Sequence, residues 1–179
     1  MGYHGLGLRS AKDAPSFGVA AGFTGVVQAL RPARILLVDD QPGDIALTRH
    51  YLFGDDDGDL TVAATAPEAF GQLLMARGEG APVDLVLLDI GLPGEDGFSL
   101  LAAIRLHPQL RATPVVLYSG ADDHDHHRRW GREMGVAGTI ARPPSLERLR
   151  EVIGRVPSLD LREDSGGVRL YALRITTSA

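Results

Sequence analysis

Three unbroken apolar runs constrain this chain more than anything else in its sequence: Arg34-Ile-Leu-Leu-Val38, Asp84-Leu-Val-Leu-Leu88 and Pro114-Val-Val-Leu-Tyr118. A strand with one wet face alternates apolar and polar residues. An unbroken run is buried on both faces, as the central strands of a parallel sheet are when helices cover both sides. Leu60 to Ala64 and Ala137 to Ala141 are weaker β-type stretches, consistent with edge strands. Between these runs lie stretches with helical spacing, about 42–53, 67–77, 97–107, 122–134 and 145–155. Pro67-Glu68 and Pro144-Ser145-Leu146-Glu147 carry helix-start chemistry, because proline suits the first turn and carboxylates favour the positive end of the helix dipole. Five strands alternating with five helices through short loops predict an α/β fold, a doubly wound five-stranded parallel sheet with right-handed crossovers. The ligand crevice of such a sheet lies beyond the carboxyl ends of its strands.

Length and charge narrow the function. The 179 residues suffice for one ordinary domain plus tails. With 18 basic against 23 acidic residues the net charge is −5, which repels phosphate backbones and disfavours nucleic acid as a partner. The acidity sits in the middle: residues 34–156 carry −7, residues 1–33 carry +2 and residues 157–179 carry none. No cysteine is present, which excludes disulfides, thiolate metal sites and cysteine nucleophiles and fits a reducing compartment. No apolar run approaches the roughly 18 residues of a membrane span. Phe17 to Val27, behind Arg9 and Lys12, lacks a small-residue cleavage site. A cytoplasmic chain without a membrane partner is expected. Asp55 to Asp59 lacks the closing glutamate of a calcium loop and reads as a solvated turn, and the glycine clusters lack the Gly-Lys-Ser/Thr of a nucleotide loop.

The chemistry concentrates where the strands end. The first run ends in Asp39-Asp40 and the Asp84–Leu88 run ends in Asp89, so three carboxylates from distant positions converge at one edge of the sheet. Each alone reads as a solvated loop residue. Packed together they repel one another unless a cation neutralises them, and hard oxygen ligands of this kind suit Mg²⁺. The Pro114–Tyr118 run ends in Ser119-Gly120, a hydroxyl and an unhindered backbone N–H that suit a phosphoryl oxygen; the last stretch ends in Arg142-Pro143, which supplies a cation.

Ile35-Leu-Leu-Val-Asp-Asp40, Leu85-Val-Leu-Leu-Asp-Ile-Gly-Leu-Pro-Gly-Glu-Asp-Gly97, Val115-Val-Leu-Tyr-Ser-Gly120 and Arg142-Pro143 together resemble the receiver domain of two-component response regulators, over about 34–156. Val38-Asp-Asp-Gln-Pro-Gly-Asp-Ile-Ala-Leu-Thr48 is similar to the single-domain receivers that partner bacterial phytochrome kinases. The resemblance implies a flavodoxin-like sheet of strand order 2-1-3-4-5, with Asp89 as the phosphoacceptor. It implies that Asp40 and Asp89 ligate Mg²⁺ directly, Asp39 acts through a bound water and the Gly91 backbone carbonyl completes the protein share of the shell. Ser119 and the Gly120 amide would receive phosphoryl oxygens and draw the following loop inward, a switch biased by contact with the phosphorylated state. The donor would be a sensor histidine kinase or a phosphotransfer protein. The output surface would comprise the stretches 114–118, 122–134, 137–141 and 145–155.

Two positions depart from that pattern. Arg142 stands where the family has lysine, and the chain's one lysine is Lys12, far from the motif. Arginine is always charged but forks toward its partners, unlike the point charge of an ammonium. Thr139 stands where a switching tyrosine or phenylalanine is common, which shifts the expected readout to Ser119 and the 120–127 loop. Two other functions stand beside the switch: a degenerate, phosphate-independent interaction module, and a Mg²⁺-dependent phosphohydrolase, whose second aspartate is replaced here by Gly91.

In Asp122-Asp-His-Asp-His-His-Arg-Arg-Trp130, His127 shares a helix face with Asp123 and His124, a spacing compatible with a transition metal; a solvated, arginine-balanced face is the plainer reading. Trp130 is expected to anchor this helix. Residues 1–33 read as a flexible extension, 34–156 as the receiver domain and 157–179 as a tail in which Val168 to Ile175 forms one extra strand. No segment reads as a helix-turn-helix, catalytic or transmembrane output module. Function is therefore expected through protein contact, on a downstream partner or as a carrier in a phosphorelay, with a homodimer formed by the 122–155 face, alone or extended by the C-terminal tail.

Overall fold

A computed structural model describes residues 26–54, 58–92, 97–119, 124–142, 144–164 and 167–176. In chain order its elements are β1 (Val26–Pro32), β2 (Ile35–Val38), α1 (Pro42–Phe53), β3 (Leu60–Ala63), α2 (Ala66–Gly78), β4 (Leu85–Asp89), α3 (Gly97–Leu106), β5 (Val115–Ser119), α4 (His124–Glu133), β6 (Gly138–Ala141), α5 (Leu146–Ile153), β7 (Leu159–Asp164) and β8 (Gly167–Thr176). Five of the strands form one parallel sheet in the order β3-β2-β4-β5-β6, so the unbroken apolar runs are its three central strands and the weaker stretches its edges.

The period-two alternation of side chains sorts each run onto two cores. Ile35, Leu37, Leu85, Leu87, Val116 and Tyr118 face a cluster that includes Leu52 and Phe53 of α1 and Leu149, Val152 and Ile153 of α5. Leu36, Val38, Val86, Leu88, Val115 and Leu117 face Ala69 and Leu73 of α2 and Leu100, Leu101 and Ile104 of α3. Leu87 is wholly buried, so Leu87→Ala should cost about 2–5 kcal/mol, read as a lower midpoint in urea at unchanged slope.

Helix starts follow side-chain chemistry. Thr65 caps α2, its hydroxyl accepting from the Glu68 N–H at 3.4 Å, while the Glu68 carboxylate accepts from the Ala64 N–H at 2.9 Å. The Ser145 hydroxyl caps α5 by accepting from the Arg148 N–H at 3.2 Å, which places Pro144 before the cap instead of inside the first turn.

The tails differ from the sequence reading. Residues 26–32, expected within a flexible extension, form β1, and the tail contains two strands instead of one. These build an antiparallel sheet in the order β1-β8-β7. A lone strand leaves its backbone unpaired, but β8 pairs with β1 on one side and β7 on the other. Leu159, Leu170 and Ala172 from this sheet are buried in the α1–α5 core beside Ala33 and Val156. The Arg31 guanidinium grips Asp84 through two bonds of 2.7 and 2.8 Å, and the Ala33 N–H donates to the Leu170 carbonyl at 2.9 Å. The added sheet thus fastens to the amino end of the parallel sheet, away from the crevice. Leu170→Asp should put an unpaired charge in this core and lower the melting temperature by several degrees, for a loss of about 2–4 kcal/mol.

Candidate functional site

Register brings the carboxylates together. Val38 pairs with Leu88, so Asp39, the next residue after β2, and Asp89, the last of β4, leave adjacent strands at the same level. Asp39 is fully buried and Asp89 is 3% exposed. One carboxylate oxygen from each of Asp39, Asp40 and Asp89 lies within 4.8 Å of the others. Backbone turns orient two of them: the Gln41 N–H donates to Asp39 Oδ1 at 2.8 Å and the Gly91 N–H to Asp89 Oδ1 at 3.0 Å. Gln41 Nε2 donates to Asp40 Oδ2 at 3.0 Å.

Arg142 follows β6 and reaches across the cluster. Its Nη2 bonds Asp39 Oδ2 and lies 3.1 Å from Asp89 Oδ2, while its Nη1 lies 2.9 Å from Asp44 Oδ2. Burial pushes the Asp39 carboxyl above its ordinary pKa; the Gln41 N–H and Arg142 pull it down, and Asp89 pushes it up again. Asp89 is likewise raised, by burial first, against the Gly91 N–H and Arg142, with Asp40 and Asp44 adding to the rise. One arginine therefore leaves both carboxyls above the ordinary range. A group of hard oxygen donors, two of them buried and still short of positive charge, fits Mg²⁺.

Gly97 packs the floor of this site. A Cβ there would lie 2.4 Å from the Asp89 carbonyl oxygen, and its N–H donates to the Ile90 carbonyl at 3.1 Å, so only glycine lets α3 start against the end of β4. Gly97→Ala should displace that start and cost about 1–3 kcal/mol, seen as a lower urea midpoint.

Of the residues singled out in the sequence, Asp39, Asp40, Asp89 and Arg142 converge. Gly91 lies beside them with its N–H on Asp89. Ser119 ends β5 opposite Ala141, at the same sheet edge, and Gly120 lies outside the described residues. Thr139 is buried in β6, in register with Leu117. His127 does not stay on a solvated face. It lines the carboxylate crevice, about 440 Å³, with Asp40, Gln41, Asp89, Ile90, Gly91 and Arg142. Its ring packs edge-on against Phe98 at 5.1 Å, and Trp130 packs against the same Phe98 at 4.1 Å, so Trp130 anchors α4 through an aromatic contact. Asp123 lies outside the described residues. Asp44 was missing from the sequence-predicted cluster. The signal for it was its place in the first turn of a helix begun by Pro42, where side chains lean back toward the amino end and hence toward the crevice.

Residues 35–154 match the family model described as response regulator receiver domain. Among proteins of known role, the chain is 34% identical over 145 residues to the transcriptional regulatory protein AruR of Pseudomonas aeruginosa, covering 79% of this chain and 56% of that one. It is 35% identical over 133 residues to the TorCAD operon transcriptional regulatory protein TorR of Escherichia coli O157:H7, covering 74% and 52%. The chain thus spans about half the length of these curated relatives. Among solved structures, the bacteriophytochrome response regulator AtBRR superposes with a TM-score of 0.61 at 29% identity, over 70% of this chain and 93% of that one. Chemotaxis protein CheY4 of Vibrio cholerae superposes with a TM-score of 0.59 at 25% identity, over 70% and 99%. Among the described residues, no helix is long and apolar enough to cross a membrane.

Proposed function

We propose, from the premise that this chain belongs to the response regulator receiver domain family, that it accepts a phosphoryl group on Asp89 and passes the signal on by protein contact. The donor in this reading is the phosphohistidine of a sensor histidine kinase or phosphotransfer protein, and the chain resides in the cytoplasm. The observation that carries it is the convergence of Asp39, Asp40 and Asp89 within 4.8 Å, with Arg142 touching Asp89.

Phosphoryl transfer asks little covalent chemistry of a protein; it needs an aligned nucleophile and neutralised charge. Asp89 supplies the nucleophile. A bond forms between one of its carboxylate oxygens and phosphorus as the phosphorus–nitrogen bond to the donor imidazole breaks, and the electron pair leaves with that nitrogen. The Gly91 N–H holds Oδ1 and so fixes the carboxyl plane. Asp39, Asp40 and Asp89 would hold Mg²⁺, with the Gly91 carbonyl completing the shell, and the ion would neutralise charge on the transferring group. Among the described residues, Arg142 is the arginine already on the acceptor. Ser119 and the Gly120 amide take the remaining phosphoryl oxygens, and Arg142 follows the phosphoryl group as the salt link to Asp39 loosens.

Arg142 also gives a second reading its support. By engaging Asp39, Asp44 and Asp89 it partly neutralises the site without metal, as a phosphate-independent interaction module requires. Incubation with a small phosphodonor and Mg²⁺, followed by intact-mass spectrometry, separates the two. The switch predicts one added phosphoryl group, lost when the metal is chelated; an unchanged mass favours the module.

A further inference from the structure

The carboxylate crevice has a polar inner side that phosphoryl chemistry alone does not account for. Asp89 pairs with Tyr118 and Tyr118 with Ile140, and Asp39 leaves β2 at the level of Asp89, so the four form one row across the sheet. In-register neighbours point to one face, and Tyr118 and Ile140 face the core that holds α1 and α5. Arg142 lies two residues past Ile140 and returns to that face. Thr48 lies one turn beyond Asp44 on α1, so it shares the helix side from which Asp44 meets Arg142. Tyr118 is 1% exposed and Thr48 is wholly buried. Their hydroxyl oxygens and Arg142 Nε are buried polar atoms without a hydrogen-bond partner among the described residues. The phenol senses these neighbours: burial raises its pKa most, Thr48 lowers it, and Asp39, Arg142 and Asp44 act on it through their charges. Raised in this way it stays protonated at neutral pH, able both to donate and to accept.

We infer that Thr48 and Tyr118 are positioning residues for Arg142, their hydroxyls and its Nε sharing one buried water that holds the guanidinium over the carboxylates. Leaving three buried polar atoms unpaired is costly, and these three lie too far apart or too poorly aligned to bond one another. A single water serves all of them. It accepts from the Nε–H and bonds both hydroxyls, within the roughly two to four hydrogen bonds that buried waters make. A held Nε fixes the whole fork, because the guanidinium is planar and no nitrogen turns without the others. One Nη then stays on Asp44 while the other stays between Asp39 and Asp89. An ammonium has no Nε, so a lysine at this position would leave the water one partner short. This deepens the phosphoryl reading by naming what holds the acceptor's cation in place. The effect on phosphoryl uptake rests on that reading; the water and the held Nε–H do not.

Hydrogen exchange at arginine Nε–H can be followed by NMR on the full chain labelled with ¹⁵N-arginine, the Arg142 signal being the one that Arg142→Lys removes. A protected Arg142 signal is expected in the parent. Tyr118→Phe and Thr48→Val keep side-chain shape, and each should speed its exchange roughly tenfold or more. Tyr51→Phe deletes a hydroxyl elsewhere on α1 and should leave it within about twofold. A crystal structure of the parent should show the water within hydrogen-bond distance of all three atoms. An unprotected Arg142 signal, exchange unchanged by either deletion, an equal rise from Tyr51→Phe, or a parent crystal structure without that water would each overturn the inference. Initial rates of phosphoryl uptake from a small phosphodonor with Mg²⁺ add a readout that loss of packing does not move. Tyr118→Phe should slow the parent severalfold and the Arg142→Lys variant very little, because lysine offers no Nε to position. Equal fractional slowing in the two backgrounds, or none in the parent, would refute positioning through Arg142. If the parent takes up no phosphoryl group, the phosphoryl reading fails, while the exchange rates and the crystal structure still decide whether Thr48 and Tyr118 hold Arg142.

Discussion

Asp89→Asn should take up no phosphoryl group under conditions in which the parent chain gains one. The amide matches the carboxylate in shape and keeps an oxygen for the Gly91 N–H, but a neutral amide is a poor nucleophile and a weaker metal ligand. Mass spectrometry should therefore show complete loss at a site that remains folded. The same substitution should not destabilise the metal-free protein at neutral pH, because Asp89 is raised above its ordinary pKa in the folded chain, chiefly by burial. The sign follows from linkage: a carboxyl whose folded pKa is raised contributes stability that is fully present below its unfolded pKa and is lost as pH rises through the folded value. At neutral pH the ionised carboxylate is thus a cost, and Asn removes it. Asp89→Asn should melt at or above the parent's temperature without Mg²⁺, whereas Mg²⁺ at about 100 times its dissociation constant should raise the parent by ~2.7 kcal/mol and the variant by much less. A variant that lost phosphoryl uptake together with its fold would not count as support.

Arg142→Met should be the most damaging change at the site. It leaves Asp39, Asp44 and Asp89 without the guanidinium that bonds all three, two of them buried, and removing one partner of a buried ion pair costs about 3–5 kcal/mol. Urea unfolding at neutral pH should show that loss. Lowering the pH should recover part of it, since protonating Asp39 and Asp89 removes the uncompensated charge, and Mg²⁺ should recover part by replacing the cation. Arg142→Lys should be milder but not silent. An ammonium is a single point charge and cannot place one nitrogen on Asp44 while another bridges Asp39 and Asp89. Equal losses in the Lys and Met variants would show that a point charge at this position contributes nothing and that the fork geometry carries the whole effect; no loss in either would show that neither matters.

The central sheet was legible because its signal is local: an unbroken apolar run such as Leu85 to Leu88 has few solutions other than burial on both faces. The carboxylate cluster was legible for the same reason, since Asp39, Asp40 and Asp89 sit where those runs stop. Asp44 was harder to see, because its membership depends on how far Arg142 forks across the crevice. His127 was read from helical spacing alone, which gives a residue's face but not what that face packs against; Phe98 of α3 decides that. The added sheet was least legible. β1 is stable only against β8, whose partner residues lie 139 to 150 positions later, from Pro32 opposite Tyr171 to Val26 opposite Thr176. No window of sequence contains both strands, and neither buries enough by itself to announce its structure.

That pairing also fixes how the molecule answers to force. Val26 faces Thr176 at the outer end of the β1–β8 ladder, so tension applied through these two residues pulls directly across the terminal hydrogen bonds. Load falls on one pair at a time, and the ladder opens like a zip. A tether on each end would peel β1 from β8 at low force until it reached the Arg31–Asp84 grip, while the parallel sheet and its carboxylate crevice stayed closed behind it.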